Sequence, residues 1–408
     1  MKKRIVVICD QARKTGGHSR VAIESAAGLA RAGEDVFYFA SYGPVDPELT
    51  QAGVNIVLTG QPDALEEKNP LYGAARGIWN VEAKRLLSRL LREGDSKCTV
   101  IHVHGWTKSL SPSVLSEITS ASSPVVCTLH EFFTVCPNGE FFNFRNRSIC
   151  KLRPMSLQCV ASDCDSRSYA HKLWRLARHS AMQHIARFPS AMQHFVYTTE
   201  SSRTFASPYL PREASYHYLP NPVHVTKRAQ VAAWRNEPFV YVGRLAVEKG
   251  VLPAAEALGR LGIPFEIAGS GELESELQSA NPDAILHGWL DSEGLNALLD
   301  RARVLVFPSL WYETFGLTIY EALARGIPVI GTRESVASEA IVDGYNGRLF
   351  SWSNPGEFED VVATAANSAS LERWSNFAYS RYWSNPFTIE QHVASLNDIY
   401  EKVLHSTP

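Results

Sequence analysis

Short β-rich runs, each followed by a stretch whose apolar residues recur at helical spacing, alternate through most of this chain. In the first 130 residues the runs are IVVIC, VFYFA, TVIHV and VVCTL, with helical patterns over 21–32 and 81–91 among them. Such alternation implies parallel strands joined by crossover helices, because a parallel pair cannot be closed by a tight turn. After Tyr218 comes LPNPV, where Pro220 and Pro222 break regular structure and mark a linker. The alternation then restarts with FVYVG, a helix ending near Leu261, PFEIAG, AILHG, a helix over 291–303, VLVFPS, a helix over 316–325 and IPVIG.

The pattern predicts an α/β protein of two Rossmann-like domains, 1–220 and 221–385, and a length of 408 residues supplies a full core to each. In the tail, Ile389, Val393, Leu396, Ile399, Tyr400 and Val403 recur at three- and four-residue steps. That spacing predicts an amphipathic helix within 386–408 that needs a partner surface and crosses back onto the first domain. Folds of this kind bind ligands at the C-terminal ends of their strands, so a cleft between two facing domains is the expected active site.

Composition narrows the function classes. With 45% hydrophobic and 20% charged residues and a net charge of -2, the chain reads as an ordinary soluble protein and not as a nucleic-acid binder. The average hides a basic stretch: residues 141–190 carry nine Lys/Arg against Asp163 and Asp165 alone. Residues 1–4 start like a signal peptide, but Asp10 stops the apolar run 5–9 too early for one. No run reaches the roughly 18 apolar residues of a membrane span. The expected location is cytoplasmic, with any membrane contact peripheral at the inner face. Seven cysteines, an odd count for a secreted disulfide framework, fit that expectation.

Several strand ends carry residue types suited to anion chemistry. Gly16 and Gly17 follow the first strand and open a helix, placing amides where an anion is favoured, although no G-x-G-x-x-G is present. In VGRLAVEKG, Arg244 lies just past a strand and Lys249 near the next helix start, two cations that fit a diphosphate leaving group. AGSGELE adds Gly269 and Gly271 at another strand end, and HGWL adds Leu290. ETFGLTIYE, after VLVFPS, sets Glu313 in a loop, Phe315, Gly316 and Leu317 at a helix start, and Glu321 one turn in. Its free amides suit a phosphate and its carboxylates suit hydroxyls, while helix-dipole complementation is the bland alternative for the two acids.

These motifs, with EALARGIPVIG and IVDGYNGRLF, resemble the nucleotide-sugar-binding domain of glycosyltransferase family 4, a retaining group with the GT-B fold. The first domain resembles the family through Gly16-Gly17, RAGEDV and His130 followed by an acid, here Glu131. The resemblance implies that Arg244 and Lys249 bind the donor diphosphate, that Glu313 and the backbone of Phe315, Gly316 and Leu317 contact sugar and phosphates, and that Glu321 holds the ribose hydroxyls. It further implies that His130 approaches the transferred sugar and that the Gly16-Gly17 loop closes on the phosphates. The implied reaction moves a sugar from a UDP- or GDP-linked donor to a saccharide or lipid-linked acceptor, with no metal or other cofactor required for catalysis. Two rival readings of the same architecture are a nucleotide-sugar epimerase and a non-catalytic sugar-nucleotide-binding subunit.

Two further features stand apart. Cys136, Cys150, Cys159 and Cys164 fall within one short segment and read either as ligands of one structural zinc or as reduced, packed thiols. The segment 168–188 reads as a helix mixing Trp174 with Lys172, Arg175, Arg178 and Arg187, suited either to an anionic membrane surface or to covering its own domain.

Overall fold

The computed structural model describes residues 2–366 and 368–406. Contacts divide the chain into two compact units: Met1–Phe141 with Lys151–Pro222 and Phe387–Pro408, and Phe142–Cys150 with Val223–Pro386.

The first unit is built on seven strands: β1 (Arg4–Ile8), β2 (Asp35–Ala40), β3 (Asn55–Leu58), β4 (Thr99–Val103), β5 (Val125–Thr128), β8 (His194–Tyr197) and β9 (Ser215–Tyr218). A two-stranded antiparallel ribbon, β6 (Phe142–Asn143) with β7 (Ser148–Ile149), intervenes in the chain. The sheet order is β3-β2-β1-β4-β5-β8-β9, and each pairing is parallel. Every residue of β1 and of β4 is buried, as expected of parallel strands covered by helices on both faces. The apolar runs read from sequence are β1, β2, β4 and β5. The edge strands β3 and β9 are half-buried or exposed, and β9 carries no continuous apolar signal; β3 (NIVL) and the buried β8 (HFVY) carry only short apolar runs and were not singled out from sequence.

The second unit repeats the plan with β10 (Phe239–Val242), β11 (Phe265–Ala268), β12 (Ile285–Gly288), β13 (Val304–Phe307), β14 (Val329–Thr332) and β15 (Gly347–Phe350). Its order is β12-β11-β10-β13-β14-β15, again with parallel pairings throughout. In each sheet the chain winds outward one way and then the other, so the winding reverses beside β1 and β4 in the first and beside β10 and β13 in the second. Connections leave such a reversal in opposite directions and open a crevice at the strand C-termini.

The tail forms the helix Ile389–Ser406, and Val393, Leu396, Ile399, Tyr400 and Val403 join the core of the first unit. It lies against the helix Gly17–Arg31, close enough that a Cβ on Gly28 would come within 2.5 Å of Val393 Cγ2. Lys3 ties the ends of the unit together, its Nζ donating to Glu34 at 2.9 Å and to Glu401 at 3.3 Å. Among the described residues no helix is long and apolar enough to cross a membrane. Leu396 is fully buried in this core. Leu396→Ala is expected to destabilise the first unit by about 2–5 kcal/mol, the usual range for a buried leucine truncation, seen as a lower urea midpoint in circular dichroism.

Candidate functional site

The second unit brings most of the predicted donor residues to the reversal between β10 and β13. After β10 the chain turns through Gly243 and Arg244 into a short helical turn, Val247–Lys249, that ends at Gly250 with φ 65°. A side chain on Gly250 would have its Cβ 2.0 Å from the Pro308 carbonyl oxygen, so this glycine lets the β10 loop press against the loop after β13. Leu310 N donates to the Glu248 carbonyl at 2.9 Å and locks the two loops together. Lys249 Nζ consequently sits 2.9 Å from Glu313 Oε1, with both side chains largely buried, and 4.9 Å above the Trp311 ring. An ammonium held by one carboxylate and one ring face keeps protons to spare for an anion.

Arg244 pairs with Glu248, whose side chain is buried while the arginine is 58% exposed. The buried acid anchors the guanidinium near one end and leaves it facing solvent at the strand end. The close approach of the β11 loop depends on glycine as well: Gly269 has φ 139°, and a Cβ there would stand 1.8 Å from the Gly243 carbonyl oxygen. Gly271 N donates to Glu274 Oε1 at 3.2 Å, so an anion at that amide would replace the carboxylate.

Gly316 adopts φ 73° immediately before the helix Leu317–Leu323. Phe315 is buried and stacks on Tyr320 at 4.8 Å, which leaves its backbone, not its ring, as the part able to meet a ligand. Glu321 is half-buried on the same helix, and its carbonyl accepts from Arg325 at 2.7 Å. Leu290 packs with the apolar cluster around Leu298, Leu299 and Ile319. Glu248 and Trp311 were not singled out from sequence; the four-residue step from Arg244 to Glu248 was the available signal for the first.

The first unit has its own reversal beside β1 and β4. Asp10, at the end of β1, is buried and accepts from the amides of Lys108, Ser109 and Leu110 at 2.8–3.0 Å, which pins the loop after β4 to β1. Gly16 and Gly17 are exposed before the helix Gly17–Arg31. Gly16 is fully extended, a conformation open to any residue, so special backbone freedom does not explain it. What distinguishes the position is space, since nothing lies within 4 Å of where its Cβ would be. His130, just beyond β5, is buried, and its Nε2 lies 2.8 Å from His104 Nδ1. Burial holds His102, His104 and His130 well below the ordinary imidazole value, and neighbouring histidines push in the same direction.

Cys136, Cys159 and Cys164 are buried and Cys150 is half-buried. Among the described residues no group of three or more His, Cys, Asp or Glu is placed to hold a metal ion. Lys172 is buried instead among these thiols, its Nζ donating to Cys164 Sγ at 2.8 Å and to the Cys159 carbonyl at 2.9 Å. Burial pushes the Cys136 thiol up to about 12, and it donates to Asn138 Oδ1 at 3.1 Å. Lys172 thus brings its own positive charge in among these sulfurs, held by Cys164 and by the carbonyls of Cys159 and Ser162.

The helix Tyr169–Ser180 packs on its own unit, as in the second of the two readings left open. Lys172 and Arg178 point inward, with Arg178 over the rings of Trp106, Phe133 and Trp174, while Arg175 pairs with the buried Asp165. Its outer face carries Tyr169, Leu173 and Ala177. Arg178 goes inward because cation–π contact compensates its desolvation, and Lys172 because two carbonyls and Cys164 Sγ accept from its ammonium.

The family described as Glycosyltransferase Family 4 matches residues 15–227, just over half of the chain, and that described as Glycosyl transferases group 1 matches residues 237–368. A GDP-mannose-dependent alpha-mannosyltransferase of Corynebacterium glutamicum is 38% identical over 126 residues, 31% of this chain and 30% of that protein. A glycogen synthase of Mycobacterium tuberculosis is 40% identical over 120 residues, 27% of this chain and 29% of that one. The chain thus spans about a third of the length of these curated relatives. Among solved structures, sucrose-phosphate synthase from Thermosynechococcus elongatus superposes with a TM-score of 0.72 at 17% identity, covering 99% of this chain and 100% of that one. The Anabaena protein Alr3699/HepE in complex with UDP-glucose gives 0.66 at 17% identity, covering 98% and 100%. These likenesses establish the fold, two parallel-sheet α/β domains of the GT-B class.

Gly269→Ala, forced into a region reserved for glycine, is expected to lose about 1–3 kcal/mol from backbone strain alone, measured as a drop in melting temperature. Five buried histidines are held neutral in the fold: burial takes His179 to about 3 and His392 to about 4, and holds His102, His104 and His130 well below the ordinary value. Their folded values lie below their unfolded ones, so the unfolded chain binds the extra protons. Stability is therefore retained above about pH 6.5 and falls below it, by up to about 1.4 kcal/mol per pH unit for each such histidine. Urea midpoints at pH 7.5 and pH 5.5 check the sign.

Proposed function

The chain belongs to glycosyltransferase family 4, and from that membership we propose that it transfers a sugar, with retained anomeric configuration, from a UDP- or GDP-linked donor to a saccharide or lipid-linked acceptor. The observation that carries the reading is the assembly of Lys249, Glu313 and Arg244 at the reversal of the second sheet, beside the helix that starts after Gly316. Arg244 and Lys249 stabilise the diphosphate as its negative charge develops. Glu313 orients Lys249 and faces the reacting sugar, the amides near Gly316 meet phosphate, and Glu321 accepts from the ribose hydroxyls. His130 serves the transferred sugar from the first unit.

In the reaction the bond from the anomeric carbon to the diphosphate oxygen breaks, and the acceptor hydroxyl oxygen bonds to that carbon on the same face. Its proton passes to the departing phosphate, so no protein nucleophile is required. Both nucleotide bases stay within the proposal, since one relative is named for GDP-mannose and one neighbour holds UDP-glucose. For a lipid-linked acceptor, contact with an anionic membrane falls to the exposed Lys151, Arg153, Arg167 and Arg187 rather than to the inward cations of the helix Tyr169–Ser180.

Glu321→Ala is expected to weaken donor binding by about 1.5–3 kcal/mol, roughly 10- to 150-fold in Kd, measured by calorimetry. Unchanged affinity would remove the ribose role. Lys249→Ala is expected to lower kcat while the protein still melts cooperatively; a variant inactive only through unfolding would leave the leaving-group role without support. A thermal-shift series of UDP- and GDP-sugars identifies the donor, because only a ligand of the folded state raises the melting temperature.

A further inference from the structure

Lys172, in the first unit, is 1% exposed, and the proposed function gives it no part. Its ammonium donates to the carbonyls of Cys159 and Ser162 at 2.9 and 3.2 Å and to Cys164 Sγ at 2.8 Å. None of these three acceptors is a carboxylate, whereas a lysine taken out of water is ordinarily paired with one. The contact with sulfur is also close. Hydrogen bonds from N–H to oxygen run about 2.7–3.2 Å, and sulfur is the larger atom, so 2.8 Å brings this nitrogen and sulfur nearer than a hydrogen bond to sulfur requires. A second nitrogen on the same sulfur, Asn138 Nδ2, stands at 3.4 Å.

The surroundings hold this pair together and direct chemistry at the sulfur toward it. Lys172 is the fourth residue of the helix Tyr169–Ser180, and Cys164 lies in the loop before that helix. The two carbonyls fix the ammonium, so its nitrogen cannot swing away from the sulfur without losing both. The Asn138 amide spans Cys164 and Cys136, with Nδ2 donating to Cys164 Sγ and Oδ1 accepting from Cys136 Sγ at 3.1 Å. An amide bonded to both sulfurs keeps them from the direct approach that a disulfide needs. Both cysteines are free thiols. An oxidant that reaches Cys164 therefore meets the Lys172 nitrogen as the nearest reactive group.

We propose that Lys172 and Cys164 form a covalent modification site, at which dioxygen joins the lysine nitrogen to the cysteine sulfur through a single oxygen atom. The separation suits that product, being too long for a direct nitrogen–sulfur bond and close to the span of two single bonds to one shared atom. In the step the O–O bond breaks, one N–O and one O–S bond form, and the second oxygen leaves as water. The neutral pair carries three hydrogens on nitrogen and sulfur, counted either as ammonium and thiolate or as amine and thiol. One stays on nitrogen and two leave in the water. Nitrogen and sulfur each give up two electrons, and dioxygen takes the four. The bridge removes a buried charge that no carboxylate balances, and a thiol reductant restores both side chains, as it does for the first oxidation level of cysteine. The site is independent of the sugar transfer proposed above.

The test is accurate mass spectrometry of the full chain purified in air, set against the same chain purified without oxygen in the presence of dithiothreitol. One oxygen gained and two hydrogens lost raise the mass of the aerobic sample by about 14 Da, and dithiothreitol is expected to remove the increment. Trypsin does not cut at a modified lysine, so residues 152–167 and 168–175 are expected as one cross-linked species from the unreduced aerobic protein. Fragmentation is expected to place the link on Cys164 and not on Cys159. Lys172→Arg and Cys164→Ser are each expected to abolish the increment. Equal masses in the two samples, a loss of two hydrogens that marks a disulfide, or oxygen held on Cys164 with Lys172 still cleaved overturns the proposal. So does an increment that survives dithiothreitol, as a methylated lysine would. The wild-type spectra decide the matter even where a variant fails to fold.

Discussion

Parallel pairing is the constraint on which the rest of this structure depends. A sheet with all its strands aligned cannot be closed by hairpins, so each connection must cross over a face and cover it. Strands covered on both faces are buried, as in β1 and β4, and their C-terminal ends become the places where loops converge. Where the winding reverses, neighbouring loops part and their amides and side chains gather around an opening. The cations and carboxylates of the second unit, and the paired His104 and His130 of the first, stand at or beside those reversals. The chemistry is located by topology before any one residue is considered.

Within that frame, short-range contacts set the geometry. Gly250 and Gly269 let backbone carbonyls approach where a Cβ would collide, and this close packing seats Lys249 against Glu313. Asp10 does the corresponding work in the first unit by gathering three amides of the loop after β4. In both cases a loop that is otherwise free in conformation is fixed to the end of a neighbouring strand. Preorganisation of this kind is what allows charge to act on a reacting group without reorganising first.

Burial also decided several features against their surface reading. Lys172 and Arg178 looked like an outward basic face when counted along the sequence, yet aromatic rings and carbonyls draw both inward. The cysteines nearby read by composition as metal ligands or as packed thiols, and the buried Lys172 donates to Cys164 Sγ among them. Charge counts along a chain carry no information on direction; helix phase and the aromatic surfaces beneath supply it.

The alternation of apolar runs was enough to establish two α/β units, because period and strand length are local properties that each segment expresses alone. The strand-end glycines and the Arg244, Lys249, Glu313 and Glu321 set were legible for the same reason: each follows a recognisable strand or opens a recognisable helix. The strand β9 was not, since it lacks a continuous apolar signal, and neither were β3 and β8, whose apolar runs are short. Nor were Glu248 beneath Arg244, Trp311 beneath Lys249, or His104 beside His130. Those partners meet only when separate strands pack together. The period of most strands and helices, and the residue types at their ends, are local and could be read along the chain; which of those residues touch was settled by packing, because contact across crossovers depends on sheet order and burial rather than on spacing in sequence.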